Sequence, residues 1–423
     1  MFLGVIADDF TGATDIAGFL VNNDLPTVQL NGVSNIRLPS DVQAVVVSLK
    51  SRSCPAAEAV SLSVDALRYL RGEGCSRFFF KYCSTFDSTA EGNIGPVTDA
   101  LLRELGSDFT VICPSLPVNG RTVYCGHLFV NGVPLDESGM RNHPLNPMHD
   151  ANLMRLMESQ AAGRCGNVAL AVVARGAEAV EARFAELRRD GLSYAVLDAL
   201  TDRDLDVLAQ AVADLPLVTG GSGLGGAIAR RYVRESGKSA ADATGLGLPR
   251  GGRAVVLSGS CSEMTNRQVA LYRQQAPFHA VAVDRCMENP EAYAEETAAA
   301  LLAAPAAKLP PLVSATAAPA ELAAIQDRFG AEASHRQVEA FFAHLAACLR
   351  RGGFDHFIVA GGETASVIIH ALKVTGFHIG PQIAPGVPWV RAVDAPLSFA
   401  LKSGNFGDER FFLTAVGDIP AKP

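Results

Sequence analysis

Residues 2–22, FLGVIADDFTGATDIAGFLVN, decide the fold. The run 2–7 is apolar or small at every position, which suits a strand buried on both faces and therefore a parallel sheet covered by helices. Two carboxylates, Asp8 and Asp9, end the run. Thr11 and Gly12 then open a stretch, 12–22, of helical spacing. A buried strand leading straight into polar residues and a helix is the first half of a βαβ unit.

Outward from this segment the pattern recurs. Strands are expected at 43–48, 77–81, 109–113, 168–173, 194–198 and 215–219, with helices at 56–71, 94–105, 177–189 and 204–213. The segment 123–135 departs from the alternation, because Asn131–Gly132 marks a hairpin turn. Residues 235–252 are rich in Gly, Ser, Ala and Asp and read as a boundary. A second alternation follows, with strands at 254–257, 280–283, 311–314 and 356–359 and helices at 263–274, 292–303 and 337–350. The stretch 377–416, with Pro381, Pro385, Pro388 and Pro396, reads as irregular and loop-rich. The expected fold class is α/β: two domains, 1–235 and 250–423, each a mostly parallel sheet flanked by helices, with the active site in the interdomain cleft.

The totals bound the function. The chain has 423 residues, is 48% hydrophobic, and carries a formal charge of −8. That charge argues against a nucleic-acid partner or a basic membrane footprint. Its nine cysteines are dispersed, without CxxC pairs or zinc-ligand spacing, which suits a reducing compartment. The early Asp8 and Asp9 interrupt any signal-peptide core, and no run reaches the length of a membrane span, so a cytoplasmic protein is expected. Leu and Ala on exposed helix faces leave room for a homodimer interface.

In open α/β sheets ligands sit beyond the carboxyl ends of the strands. The first loaded end is Asp8-Asp9-Phe10-Thr11-Gly12, where carboxylates can take polyol hydroxyls beside free helix N–H groups; the plainer reading of Asp9 or Thr11 is a helix cap. The second runs from Lys81 through Asp87 and Ser88, a cation with acceptors for substrate oxygens. The third holds Asn119, Gly120 and Arg121, where an arginine can clamp a carboxylate. Three converging ends suit a small, hydroxylated, anionic substrate. The run 221–226, GSGLGG, is formally a GxGxxG and raises a dinucleotide-dependent oxidoreductase as an alternative. The next strand lacks the terminal acid that would bind a ribose, which favours close packing instead. In the second half, Ser258, the turn Ala360-Gly361-Gly362-Glu363, and Gly404 follow strands in glycine- and hydroxyl-rich loops able to cradle phosphates.

These stretches resemble one family closely, the four-carbon acid sugar kinases. The resemblance is carried by IADDFTGATDIAGFL, FKYCSTFDSTAEGNIGP, PVNGRTVYCGHLFVNGVPL, LSGSCSEMTNRQ, VAGGETASVI and LKSGNFG. FKYCSTFDSTAEGNIGP looks like the 3-oxo-tetronate kinase branch. The resemblance implies an N-terminal sugar-acid domain, a C-terminal nucleotide domain, and transfer of the ATP γ-phosphate to the C4 hydroxyl of a 3-oxo-tetronate. An unoxidised acid, threonate or erythronate, is the alternative acceptor. It implies ATP contacts at Ser258, at Ala360, Gly361, Gly362 and Glu363, and near Gly404. Phosphoryl transfer rests on positioning and charge neutralisation. Lys81 and Arg121 are expected to hold the substrate carboxylate or the transferring group, and Asp8 or Asp9 to orient the hydroxyl and accept its proton. Thr11, Asp87, Ser88 and Asn119 complete the expected substrate contacts. Mg2+ on the phosphates is expected, with no protein ligand assigned.

Overall fold

The computed structural model describes residues 1–34, 36, 38, 41–142, 146–237 and 243–419. The chain forms two compact units, Met1–Ala243 and Thr244–Pro423. Residues 238–242 of the expected boundary segment lie outside the described residues.

The first unit is built on strands β1 (Leu3–Ala7), β2 (Thr27–Asn31), β3 (Ala44–Ser48), β4 (Arg77–Lys81) and β5 (Thr110–Cys113). A small hairpin sheet follows, β6 (Arg121–Tyr124), β7 (His127–Val130) and β8 (Val133–Pro134), and then β9 (Cys165–Val168), β10 (Tyr194–Leu197) and β11 (Leu217–Gly220). Within this unit the main sheet runs β2-β3-β1-β4-β11-β5-β10-β9, every pair parallel. All five residues of β1 and of β3 are buried, as their unbroken apolar runs require. The chain leaves β1 through helix Phe10–Val21 towards β2, whereas it leaves β4 through helix Ile94–Leu105 towards β5. Neighbouring strands with connections in opposite directions define a switch point, where their carboxyl ends part to leave a crevice. In this unit that point lies between β1 and β4.

The second unit holds β12 (Arg253–Ser258), β13 (Phe278–Ala280), β14 (Leu312–Ser314), β15 (Phe354–Ala360), β16 (Gly376–Ala384), β17 (Val387–Ala392) and β18 (Ser398–Lys402), in the order β13-β14-β12-β15-β18-β17-β16. The first five are parallel and the last two antiparallel additions. Here β12 leads through helix Glu263–Tyr272 to β13, and β15 leads through helix Gly362–Ala371 to β16 on the other side. The switch point is therefore between β12 and β15. Tyr272, Trp389, Phe411 and Phe412 anchor one of its buried clusters.

The α/β reading with mostly parallel sheets holds; the expected strand 280–283 is displaced, since β13 ends at Ala280 and Val283 opens a helix, and three further local corrections follow. Residues 377–416 are not irregular: they supply most of β16, all of β17 and β18, and most of helix Phe411–Gly417. Prolines mislead there because they are compatible with this antiparallel margin. Pro381 falls where the β16–β17 register shifts, and Pro388 lies opposite Gln382 at that same irregularity. The expected strand 168–173 ends at Val168, and Leu170–Val173 is helical. An apolar run cannot by its pattern distinguish a buried strand from a buried helical turn. Here Asp198 decides, because its Oδ2 accepts the Leu170 N–H at 3.0 Å. Third, β2 has no counterpart among the expected strands. The hairpin does turn at Asn131 (φ 52°) and Gly132 (φ 81°). Two successive positive φ values match the twist of the strands they join. Among the described residues, no helix is long and apolar enough to cross a membrane.

Candidate active site

The register of the first sheet sets Ala7 beside Ser48 on one side and Lys81 on the other. The segments that follow these residues therefore meet. Asp8 and Asp9 come from β1, Arg52 from the loop after β3, and Asp87 from the loop after β4.

Arg52 is the hub. Its Nε donates to Asp8 Oδ2 at 2.9 Å and its Nη2 to Asp8 Oδ1 at 2.8 Å, a two-pronged pair. The same Nη2 donates to Asp9 Oδ1 at 2.7 Å, and Nη1 to Asp87 Oδ2 at 3.4 Å. The side chain is 21% exposed, against 6% for Asp8 and 8% for Asp87. Burial opposes the guanidinium charge, but the carboxylates of Asp8 and Asp9 outweigh it and hold the Arg52 pKa well above its ordinary value. The backbone around Arg52 is fixed as well. Ser51 and Arg52 donate their N–H groups to the Asp8 carbonyl at 3.0 and 3.2 Å, and Asn93 Nδ2 donates to the carbonyls of Ser51, Arg52 and Cys54.

Asp9 has two tasks. Its Oδ1 caps helix Phe10–Val21 by accepting the Gly12 N–H at 2.9 Å, as the plainer reading expects, and it also meets Arg52. Burial and the neighbouring Asp8 raise the Asp9 pKa, against the pull of Arg52, Lys81 and the Gly12 N–H. A Cβ on Gly12 would stand 2.3 Å from Asp9 Oδ1 and 3.0 Å from Lys81 Nζ, so only glycine leaves these two groups in place. Lys81 is 3% exposed and donates to the Tyr82 carbonyl at 2.9 Å. Thr11 lies half-buried in the first turn of the helix.

Asp87 reaches Arg52 through an unusual backbone. Phe86 (φ 63°) and Asp87 (φ 51°) are both left-handed, a conformation that costs on the order of 1–3 kcal/mol for each non-glycine residue. Phe86 is fully buried, which anchors the turn. Ser88 Oγ donates to Gln160 Oε1 at 3.2 Å, and Gln160 Oε1 also accepts the Gly95 N–H at 3.0 Å. A small recess is lined by Asp8, Arg52, Asp87, Ser88 and Asn93, among others.

Arg121 and Asn119 sit apart from that hub, on the hairpin that follows β5. Arg121 Nη1 donates to the Asn119 carbonyl, and the Asn119 N–H to Leu116. The hairpin is secured by Asp198, which is 0% exposed and accepts from the N–H groups of Cys125, Gly126 and Leu170 and from Asn167 Nδ2. The glycine run at 221–226 serves packing. A Cβ at Gly221 would fall 2.7 Å from the Pro114 carbonyl oxygen, and one at Gly223 2.6 Å from that of Ser115.

In the second unit the register aligns Ser258 with Ser314 and Ala360, and Ala360 with Lys402. Every nucleotide-contact residue expected from the sequence therefore lies on one sheet edge. Ser258 is fully buried with its Oγ 2.7 Å from Thr316 Oγ1. Gly361 has φ 125°, and its N–H is bonded to the Lys402 carbonyl. Gly362 and Glu363 open helix Gly362–Ala371 and are exposed. Gly404 passes so close to Ser260 that a Cβ there would lie 2.7 Å from Ser260 Oγ. Lys402, 1% exposed, donates to Thr265 Oγ1 at 3.0 Å and to the carbonyls of Ser403 and Gly404 at 3.1 and 2.7 Å. No carboxylate joins these acceptors, and burial lowers its pKa from 10.5 to about 8.

Two positions were not singled out by the sequence reading. Arg52 carries no motif; its only signal is a cation four residues beyond an apolar strand. Lys402 falls inside a quoted stretch, but its side chain is not distinguished from the glycines beside it.

Two family models match the chain: a sugar-binding N-terminal domain over residues 3–228 and a nucleotide-binding C-terminal domain over residues 255–412. The 3-oxo-tetronate kinase of Pectobacterium atrosepticum is 58% identical over 422 residues, covering 99% of this chain and 99% of that protein. The 3-oxo-tetronate kinase of Salmonella typhimurium is 57% identical, covering 98% of each. A crystal structure from Salmonella typhimurium LT2 matches with a TM-score of 0.92 at 57% identity, over 98% of each chain. That of Haemophilus influenzae protein HI1011 matches with a TM-score of 0.88 at 55% identity, over 98% of this chain and 99% of the other. With its two domain models in order and relatives of this identity along its whole length, the chain belongs to the four-carbon acid sugar kinase family, in its 3-oxo-tetronate kinase branch.

Proposed function

We propose that the protein is an ATP-dependent kinase that phosphorylates the C4 hydroxyl of a 3-oxo-tetronate, giving ADP and the 4-phosphate. The observation that carries this reading is the full-length similarity to relatives named 3-oxo-tetronate kinase. The charged edge of the first unit supports it chemically: carboxylates accept from sugar hydroxyls, and two cations balance a sugar acid's own charge.

In this mechanism residues 1–235 bind the sugar acid and residues 250–423 the nucleotide. Asp8 and Asp9 orient the C4 hydroxyl. Asp9 accepts its proton, since burial and the neighbouring Asp8 raise its pKa while its place beside Lys81 keeps it within reach of a positive charge. Asp87 and Thr11 take the remaining hydroxyl contacts, with Ser88 and Asn119 at the margins. Lys81 and Arg121 hold the substrate carboxylate or the transferring phosphoryl group. The backbone around Ser258, the turn from Ala360 to Glu363 and the loop at Gly404 take the ATP. Mg2+ would be carried on the ATP phosphates, with no protein ligand assigned to it. That ion, when bound, neutralises charge on the transferring group. Nine free cysteines suit the cytoplasm as the place of action.

The test is ADP release with Mg2+-ATP against the 3-oxo-tetronates and against D- and L-threonate and erythronate. Turnover confined to the keto acids is expected. Turnover on the unoxidised acids alone would move the acceptor to them, and no release with any of the acids would overturn the kinase.

A further inference from the structure

We propose that Arg52 is the positioning residue of this site: it gathers Asp8, Asp9 and Asp87 from two strand ends and, by its charge, keeps Asp9 in the form that can accept a proton. The inference rests on the kinase reading above for its kinetic consequence, but its structural core can be tested without turnover.

Geometry carries it. Three carboxylates gathered in a partly buried crevice repel one another, and each would be driven to take up a proton if left alone. Arg52 prevents this with four N–H contacts between 2.7 and 3.4 Å. The two-pronged pair to Asp8 fixes the plane of the guanidinium, so that Nη2 faces Asp9 and Nη1 faces Asp87. Lysine has a point charge and cannot reproduce that division of contacts. The surroundings indicate that the arrangement is built. Asn93 clamps the Arg52 loop by three carbonyls, and two consecutive left-handed residues bring Asp87 to it.

The charged and titratable groups around Asp9 come from every segment packed on it. They are Asp8 beside it, Arg52 and Lys81 as cations, the Gly12 N–H on its own helix, and Asp87 across the guanidinium, with the Cys83 thiol also near Arg52. Removing the Arg52 charge leaves Lys81 as the remaining cation acting on Asp9 against burial and Asp8. The Asp9 pKa must then rise. A base must be ionised to act, so the acid limb of the rate profile moves to higher pH.

The experiment compares wild type, Arg52→Gln and Arg52→Lys. The Asp9 carboxyl is titrated by 13C NMR, assigned with Asp9→Asn, and kcat/KM is followed against pH. In Arg52→Gln we expect the Asp9 midpoint and the acid limb both to rise by about one pH unit or more. In Arg52→Lys we expect the acid limb to stay near its wild-type position while kcat falls about 10²-fold through lost alignment. A purely structural arginine would change melting temperature without moving either titration. The proposal is overturned if folded Arg52→Gln titrates like wild type. If Arg52→Gln does not fold, an Arg52→Lys enzyme with wild-type kcat would overturn it instead. Failure of the kinase reading shows separately, as absence of turnover in wild type with the NMR shift intact.

Discussion

The two sheet edges are built in opposite ways. In the first unit the edge is built from charged side chains: three carboxylates and two cations meet from loops after β1, β3 and β4. In the second the edge is nearly neutral. It presents hydroxyls, backbone N–H groups and glycines, with one buried cation, Lys402, turned inward onto its own loop. Charged side chains suit a substrate distinguished by where its hydroxyls lie, because each carboxylate selects one donor. Backbone N–H groups suit phosphates, which offer many equivalent oxygens and demand close approach more than selection.

Breaking either edge should leave the other at work. The largest effect is expected from Asp9→Asn, which retains the helix-capping oxygen but cannot take up the hydroxyl proton. Its kcat should fall by about 10²- to 10⁴-fold, with nucleotide affinity, measured by calorimetry, unchanged. An Asp9→Asn enzyme with full turnover would remove Asp9 as the base. A smaller effect is expected from Gly361→Ala. Its φ of 125° is strained for any side chain, and the new Cβ would lie 2.9 Å from Thr364 Oγ1. A strain of about 1–3 kcal/mol corresponds to roughly 5- to 150-fold weaker ATP binding, while the KM for the sugar acid should hold. Equal losses for both ligands would erase the contrast between the edges.

The smallest effect comes from titrating Lys402. Below its pKa of about 8 the ammonium has three N–H bonds for its three acceptors; above it the amine has two. The loop at Gly404 then loosens, and ATP affinity should drop about two- to tenfold between pH 7 and 9. Lys402→Met should bind weakly and show no such pH step. Folding responds with the opposite sign. The unfolded lysine keeps its proton to about 10.5 while the native one loses it near 8, so between those values the unfolded state binds more protons and stability rises with pH. Wild-type affinity that stays flat from pH 7 to 9 would assign Lys402 no part in holding the loop.

The same contrast explains what could be read from residues alone. A backbone edge leaves local marks, because glycines and hydroxyls must lie beside one another in the chain. Ser258, Ala360 to Glu363, and Gly404 are visible for that reason. A charged edge is assembled from afar. Arg52 lies 44 positions from Asp8 and 35 from Asp87, and only the pairing of β1 with β3 and β4 brings them together. The left-handed pair Phe86–Asp87 is nearly silent, since Phe does not announce a positive φ and a lone Asp does so only weakly. Strands fared likewise. Most of the buried parallel ones declare themselves by apolar runs, whereas β2, with Gln29 at its middle, and β18, which follows the proline-bearing β16 and β17, do not. The alternation of helix and strand marks the loaded strand ends, but neither the strand order that makes two of them switch points nor the partners that meet there.

The glycine run after β11 has a consequence for how the chain tolerates change. At Gly220, the last residue of β11, a Cβ would approach the Cys113 carbonyl oxygen to 2.3 Å, and at Gly221 the Pro114 carbonyl oxygen to 2.7 Å. These positions are closed to every other residue by the chain's own interior, whatever ligand the protein binds. In a library of all single substitutions this stretch would appear as a band of loss as dark as the active site, by packing alone. Intolerance to mutation would then mark two different things in one molecule, and only the identity of the neighbouring atom separates them.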